Sequence, residues 1–200
     1  VSGNGMAAGN NSTLQNNGAI TSNGYRAYGM TATSGSDLTN GKTGTITMNQ
    51  PYGYGMAISG TSGTLTNDGA ITLNNISTAG LYAANSGTSP ATISVTNNGT
   101  ITGKGRDNVG ISACDNGITV TNNGTLNMQG SNNGGIVVNG AGNTVANTGQ
   151  INISGTSGKG AEIFGTGTTF TNTGTFSVSG TYGTAIEAGP QTTIYQNGTL

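Results

Sequence analysis

The sequence has no tryptophan and no histidine, a single cysteine, three prolines and only 6% charged residues. An ordinary soluble domain carries about 25% charge. Each shortage excludes something. Without histidine, the commonest general base and metal ligand is missing. One cysteine, Cys114, rules out an intramolecular disulfide framework. Five Lys and Arg against six Asp and Glu, a net charge of -1, leave no basic patch for a phosphate backbone or an anionic membrane, so nucleic acid is not an expected partner. No apolar run approaches the ~18 residues of a membrane span, so insertion of this segment in a membrane is not expected. The amino terminus lacks the basic and apolar regions of a signal peptide, so an exported protein would carry this stretch as a mature or internal segment.

What remains is glycine, at 38 of 200 residues, together with Asn, Ser and Thr. Such a composition without pattern would suggest disorder, but here Ile, Leu, Val, Met and Phe return at fixed intervals. Residues 96–101 read "TNNGTI" and residues 121–126 read "TNNGTL". The glycine of the pattern Asn-x-Gly-x-(Ile/Leu/Phe) falls at Gly18, Gly69, Gly99, Gly124, Gly149 and Gly174, with degenerate copies at Gly44 and Gly198. The period is about 25 residues.

Three short segments recur in each period. The first follows the glycine and alternates like a half-buried strand, as in Ile71 and Leu73 or Ile151 and Ile153. The second begins ten residues after the first apolar position, as "GMAIS", "GLYAA", "GISAC" and "GGIVV". The third leads back to the asparagine, as "TLTN", "SVTN" and "TFTN". Length varies elsewhere, chiefly in "NSGTSP" at residues 85–90. One corner is therefore fixed and another tolerant.

Three strands per turn, bounded by Gly-rich bends, predict an all-β chain: a right-handed parallel β-helix of about eight three-stranded coils, one domain over residues 1–200. Stacking at about 4.8 Å per coil gives a rod near 40 Å long. The recurring asparagines Asn16, Asn67, Asn97, Asn122, Asn147 and Asn172 then share one corner, where their amides are expected to form a hydrogen-bonded ladder. The glycine two residues later is expected to supply a backbone angle that a Cβ resists. Sequons such as Asn98-Gly99-Thr100 read as by-products of the repeat.

These "NxGTI" coils with strands such as "GIVVNG" resemble the β-helical passenger regions of bacterial autotransporter adhesins and related surface proteins. The resemblance spans essentially the whole chain and implies a secreted or cell-surface location. It implies an adhesive or structural role, without the carboxy-terminal membrane barrel of a complete autotransporter. The repeat begins and ends in mid-coil with no amphipathic cap, so the domain is expected to be open at both ends. Either it is a piece of a longer rod or its ends stack on other copies.

Candidate contact residues gather between the first and second segments: Tyr25, Arg26, Tyr52, Tyr54, Arg106, Asp107, Lys159 and Tyr182, with Tyr28 and Lys104 nearby. Tyr offers a flat apolar ring with a hydroxyl and Arg and Asp offer polar contacts, a mixture suited to a glycan or a protein surface. The six acids, Asp37, Asp68, Asp107, Asp115, Glu162 and Glu187, form no evident rank. Neither paired catalytic carboxylates nor a calcium nonapeptide is evident, so the chain is expected to be non-enzymatic, with no metal and no cofactor. Cys114 follows inward Ala113 and is expected outward or in the bend.

The leading expectation is a structural or adhesive rod, a segment of a surface adhesin whose partner is a host or bacterial surface glycan or protein. The alternative is a self-assembling subunit of an extracellular filament or biofilm matrix fibre, its partner being itself. Outward Thr64, Thr66, Thr119, Thr121, Thr169 and Thr171 raise a third class, an ice-binding solenoid, although Ser94, Ala146 and Tyr195 interrupt those ranks.

Overall fold

The structure, a computed structural model, describes residues 3–87 and 91–200. Among them the chain forms three parallel sheets of eight, eight and seven strands and no helix. Each sheet gathers one segment of every coil, so consecutive strands in a sheet come from consecutive coils. In the fifth coil the three strands are Thr100–Gly103, Val109–Cys114 and Thr119–Asn122. The insertion read at residues 85–90 is described only to Gly87, and residues 88–90 lie outside the described residues.

Register follows the repeat. Ile71 pairs with Ile101, Ile101 with Leu126, and Leu126 with Ile151. In the second sheet Met30, Met56, Leu81, Ile111 and Ile136 stack in one row. Leu38, Leu65, Val95, Val120, Val145 and Phe170 do so in the third. These rows fill the lumen and are fully buried. Although like mostly sits on like, a change of size at one position is met by a neighbour in the same row or in another. Gly103 leaves space that the Met128 thioether enters, and small Ala161 in the seventh coil is accompanied by Phe170 and Phe176, whose rings meet edge to face 6.3 Å apart.

The asparagine corner is continuous along the rod. Asn16 Nδ2 donates to Asn40 Oδ1 at 2.8 Å, Asn40 to Asn67 at 2.8 Å, Asn67 to Asn97 at 2.8 Å and Asn97 to Asn122 at 2.8 Å. The chain continues through Asn147 and Asn172, each step 2.7 Å, and finishes on Gln196 Oε1 at 2.9 Å. Each interior amide also donates to a glycine carbonyl of its own coil, as Asn97 does to Gly99. A buried amide has two donors to satisfy, and this arrangement satisfies both. Among the described residues no buried side-chain nitrogen or oxygen lacks a partner.

The glycine of the repeat corrects the expectation stated for it. Gly69, Gly99, Gly124, Gly149 and Gly174 are not among the residues with positive φ. A Cβ on Gly99 would instead fall on the carbonyl oxygen of Gly69 in the preceding coil, and the same holds for Gly124 over Gly99 and Gly149 over Gly124. Glycine is required here for close approach between coils rather than for a left-handed angle.

A rank of left-handed residues, none of them glycine, lies at the next corner, while left-handed glycines such as Gly35, Gly117, Gly142 and Gly167 stand elsewhere in the coils. Arg26, Tyr52, Ser77, Asp107, Asn132, Ser157 and Tyr182 have φ of 53°, 62°, 52°, 57°, 56°, 55° and 59°. Each stands six residues after the first inward side chain of its coil, from Ile20 to Arg26 through Phe176 to Tyr182. This is the corner whose length never varies.

Candidate ligand-contact surface

At that corner the chain turns from the first sheet into the second, and a residue held at φ near 55° aims its side chain outward beside the start of the next strand. The coil geometry therefore builds two banks running along the rod. One bank is the left-handed rank. The other is the outer face of the second sheet, where Tyr28 and Tyr54 are register partners and open the strands Tyr28–Thr33 and Tyr54–Gly60.

On these banks the aromatic side chains of the second, third and fourth coils converge. Tyr28 and Tyr54 rings lie 5.4 Å apart at 35°, and Tyr54 stacks on Tyr82 at 4.3 Å and 27°. On the corner, Tyr25 meets Tyr52 edge to face at 5.6 Å, and the Arg26 guanidinium stands 5.5 Å over the Tyr25 ring. Ring pairs at these separations attract beyond their buried area. The stack ends at Tyr82, because the fifth coil offers Val109, Ser112 and Cys114 in place of a ring. Two open hollows result. One, about 350 Å³, is lined by Arg26, Tyr28, Tyr52, Tyr54 and Ser77. The other, about 380 Å³, lies beyond it between Tyr82, Asp107, Ser112 and Cys114 and shares Tyr54 and Ser77 with the first.

Burial pushes the Tyr82 phenol up to about 12, with Cys114, Tyr54 and Asp115 adding to the shift. Tyr54 is raised chiefly by burial and secondarily by Tyr28. Both hydroxyls therefore keep their protons at any physiological pH. The Asp107 carboxylate pairs with Arg106 at 3.2 Å and accepts from Asn132 Nδ2 at 3.2 Å. Cys114 closes the strand Val109–Cys114 and is part-exposed, its Sγ 3.7 Å from Ser112 Oγ.

The eight contact residues read from the sequence thus divide. Tyr25, Arg26, Tyr52 and Tyr54 come together, Asp107 lines the adjoining hollow, and Arg106 pairs with Asp107. Tyr54 and Lys159 are not in the bend but are the first residues of their strands. Lys159 lies apart, its Nζ 2.9 Å from Glu162 and 2.8 Å from Glu187. Tyr182 is 84% exposed on the eighth coil, away from the other rings. Glu162 and Glu187 correct the reading that the acids form no rank, since they are register partners one period apart. Hydrogen bonds to Glu187 and then Glu162 raise the Lys159 pKa. Tyr82 and Ser77 were missed. The parity of Tyr82, between inward Leu81 and Ala83, places it outward, and that signal was present in the sequence.

The chain matches the BigA third pectate lyase-like domain over residues 1–139. It belongs to that family. No curated protein and no solved structure gives a significant match. Membership fits a β-helical region of a bacterial surface protein, in keeping with the passenger-like pattern of its coils. The family carries the architecture, and "pectate lyase-like" describes that architecture.

Proposed function

We propose that the domain is a non-enzymatic adhesive rod on the outside of a bacterial cell, a stiff shaft that holds an aromatic contact surface away from the envelope. The observation that carries this reading is the convergence of Tyr25, Tyr28, Tyr52, Tyr54 and Tyr82 on one outer edge of three consecutive coils. Tyr is among the residues that dominate binding energy at interfaces, and a β-helix positions it without loop entropy to lose.

The charged groups support a binding role over catalysis. Asp37 accepts a hydrogen bond from Thr64 at 2.6 Å, Asp107 is paired with Arg106, and Glu162 and Glu187 both hold Lys159. A lysine whose pKa is raised is an ammonium at neutral pH and unsuited to abstract a proton.

The test is adhesion of beads coated with the purified domain to bacterial and host cells. Replacing Tyr52, Tyr54 and Arg106 together by Ala should abolish adhesion while circular dichroism stays unchanged. Undiminished adhesion by the folded triple variant would refute the reading.

A further inference from the structure

The two hollows share a wall, and their linings combine flat rings with hydroxyls and charge. From the second to the fifth coil the groove runs roughly 14 Å along the rod at the spacing of parallel strands. Each hollow is at the small end of the range for ligand pockets. The groove is straight, because its banks are set by register rather than by loops. It is also periodic, with new wall residues at every coil.

We propose that this groove binds a linear saccharide chain lying parallel to the rod axis, with one sugar ring beyond Tyr82 continuing the tyrosine stack and further rings passing Ser77 and Tyr54 toward Arg26. This rests on the adhesive reading above and names the class of its ligand. A sugar ring has an apolar C–H face that packs on an aromatic ring and an equatorial belt of hydroxyls that needs donors and acceptors. The second hollow supplies both: the Tyr82 ring on one side, and the Asp107 carboxylate and Ser112 hydroxyl on the other. Asp107 is held in place for accepting by Arg106 and Asn132. The Tyr82 hydroxyl stays protonated beside Cys114, its hydrogen-bonding neighbour in the same hollow. At the opposite end Arg26 makes no ion pair among the described residues, leaving its guanidinium for a ring oxygen or an acidic substituent. Beyond the fifth coil the groove closes chemically. Gly134 and Val137 bring no ring, and Lys159 is engaged by its two glutamates.

The experiment is an array of linear oligosaccharides of graded length, neutral and acidic, probed with the purified domain, followed by calorimetry on those retained. Affinity should rise with chain length and level off once the groove is filled. Tyr82→Ala and Tyr54→Ala should each weaken binding about tenfold or more. Tyr82→Phe should weaken it less, and Tyr182→Ala should leave it unchanged. Circular dichroism identifies any variant that has lost its fold, and Asp107→Asn, which keeps the size of the side chain, tests the polar bank independently. Failure of the domain to retain any saccharide would overturn the proposal, as would equal loss with Tyr182→Ala. If cell adhesion persists and depends on Tyr54 while no saccharide is retained, the adhesive role stands with a protein receptor and the saccharide assignment falls.

Discussion

At the residue scale, the inward amide and the glycine that follows it define the molecule. Asn97 is fully buried and takes part in two amide–amide bonds, so Asn97→Ala leaves the Asn67 Nδ2 donor and the Asn122 Oδ1 acceptor each short of a partner. Loss of about 3 kcal/mol of unfolding free energy is expected from such unsatisfied groups. Asn98→Ala, one residue along, breaks two hydrogen bonds to Asp68 and Asn123 whose groups water can reach, and should cost about 1 kcal/mol or less. Urea denaturation of both variants checks the contrast, and equal effects would mean that the ladder does not stabilise the corner. Tyr82 offers a second test. Its folded pKa of about 12 lies above the ordinary phenol value of 10.0. Stability linked to Tyr82 is therefore full below pH 10 and falls as pH rises toward 12, since the unfolded chain loses its proton first. Tyrosinate absorbance during alkaline titration should show a late phase that shrinks in Tyr82→Phe, the remainder belonging to Tyr54.

At the scale of the element, the coil was largely legible in the sequence, and its exceptions show why the rest was not. The ten-residue interval from Ile71 to Leu81, or Ile101 to Ile111, reflects the corner that the left-handed rank keeps at one length. Asn40 escaped the repeat because Gly44 follows it by four residues, yet the wider bend still brings the Gly44 carbonyl to its amide at 3.3 Å. Gln196 escaped because it is one methylene longer, and it accepts from Asn172 nonetheless. The role of the repeat glycine was misjudged because close approach between coils is a property of two periods, and a single period shows only a flexible residue. The groove was half legible for the same reason. Position within the repeat located Tyr25, Arg26, Tyr52 and Tyr54, whereas the contact of Tyr82 with Tyr54 depends on the reach of a side chain from one coil to another. The left-handed corner itself yields a prediction. Tyr182 is held at φ 59° and is 84% exposed, so little packing offsets its strain. A left-handed conformation costs an L residue roughly 1–2 kcal/mol, and glycine loses roughly 0.5–1 kcal/mol of that advantage to chain entropy. Tyr182→Gly should therefore raise stability by up to about 1 kcal/mol, read as a higher urea midpoint at unchanged slope; a lower midpoint would show that the tyrosine packs.

At the scale of the whole molecule, the rod is a one-dimensional stack whose coils meet only their neighbours. Thr125 and Gln150 are register partners one period apart, so deletion of residues 125–149 joins Gly124 to Gln150 at an equivalent point. The shortened chain should fold, lose about 4.8 Å of length by small-angle scattering and keep its tyrosine groove. Collapse to an unfolded chain would contradict independent stacking. The same topology has a mechanical consequence. The strands run across the rod, and the first and last coils lie at opposite ends of every sheet, so tension transmitted through the chain pulls coils apart along the direction of their hydrogen bonds. Such a load peels one coil at a time. Each coil contributes about 4.8 Å to the folded rod but releases roughly 80 Å of extended chain. Under flow, a tether built this way would lengthen in steps and dissipate force before its attachment fails.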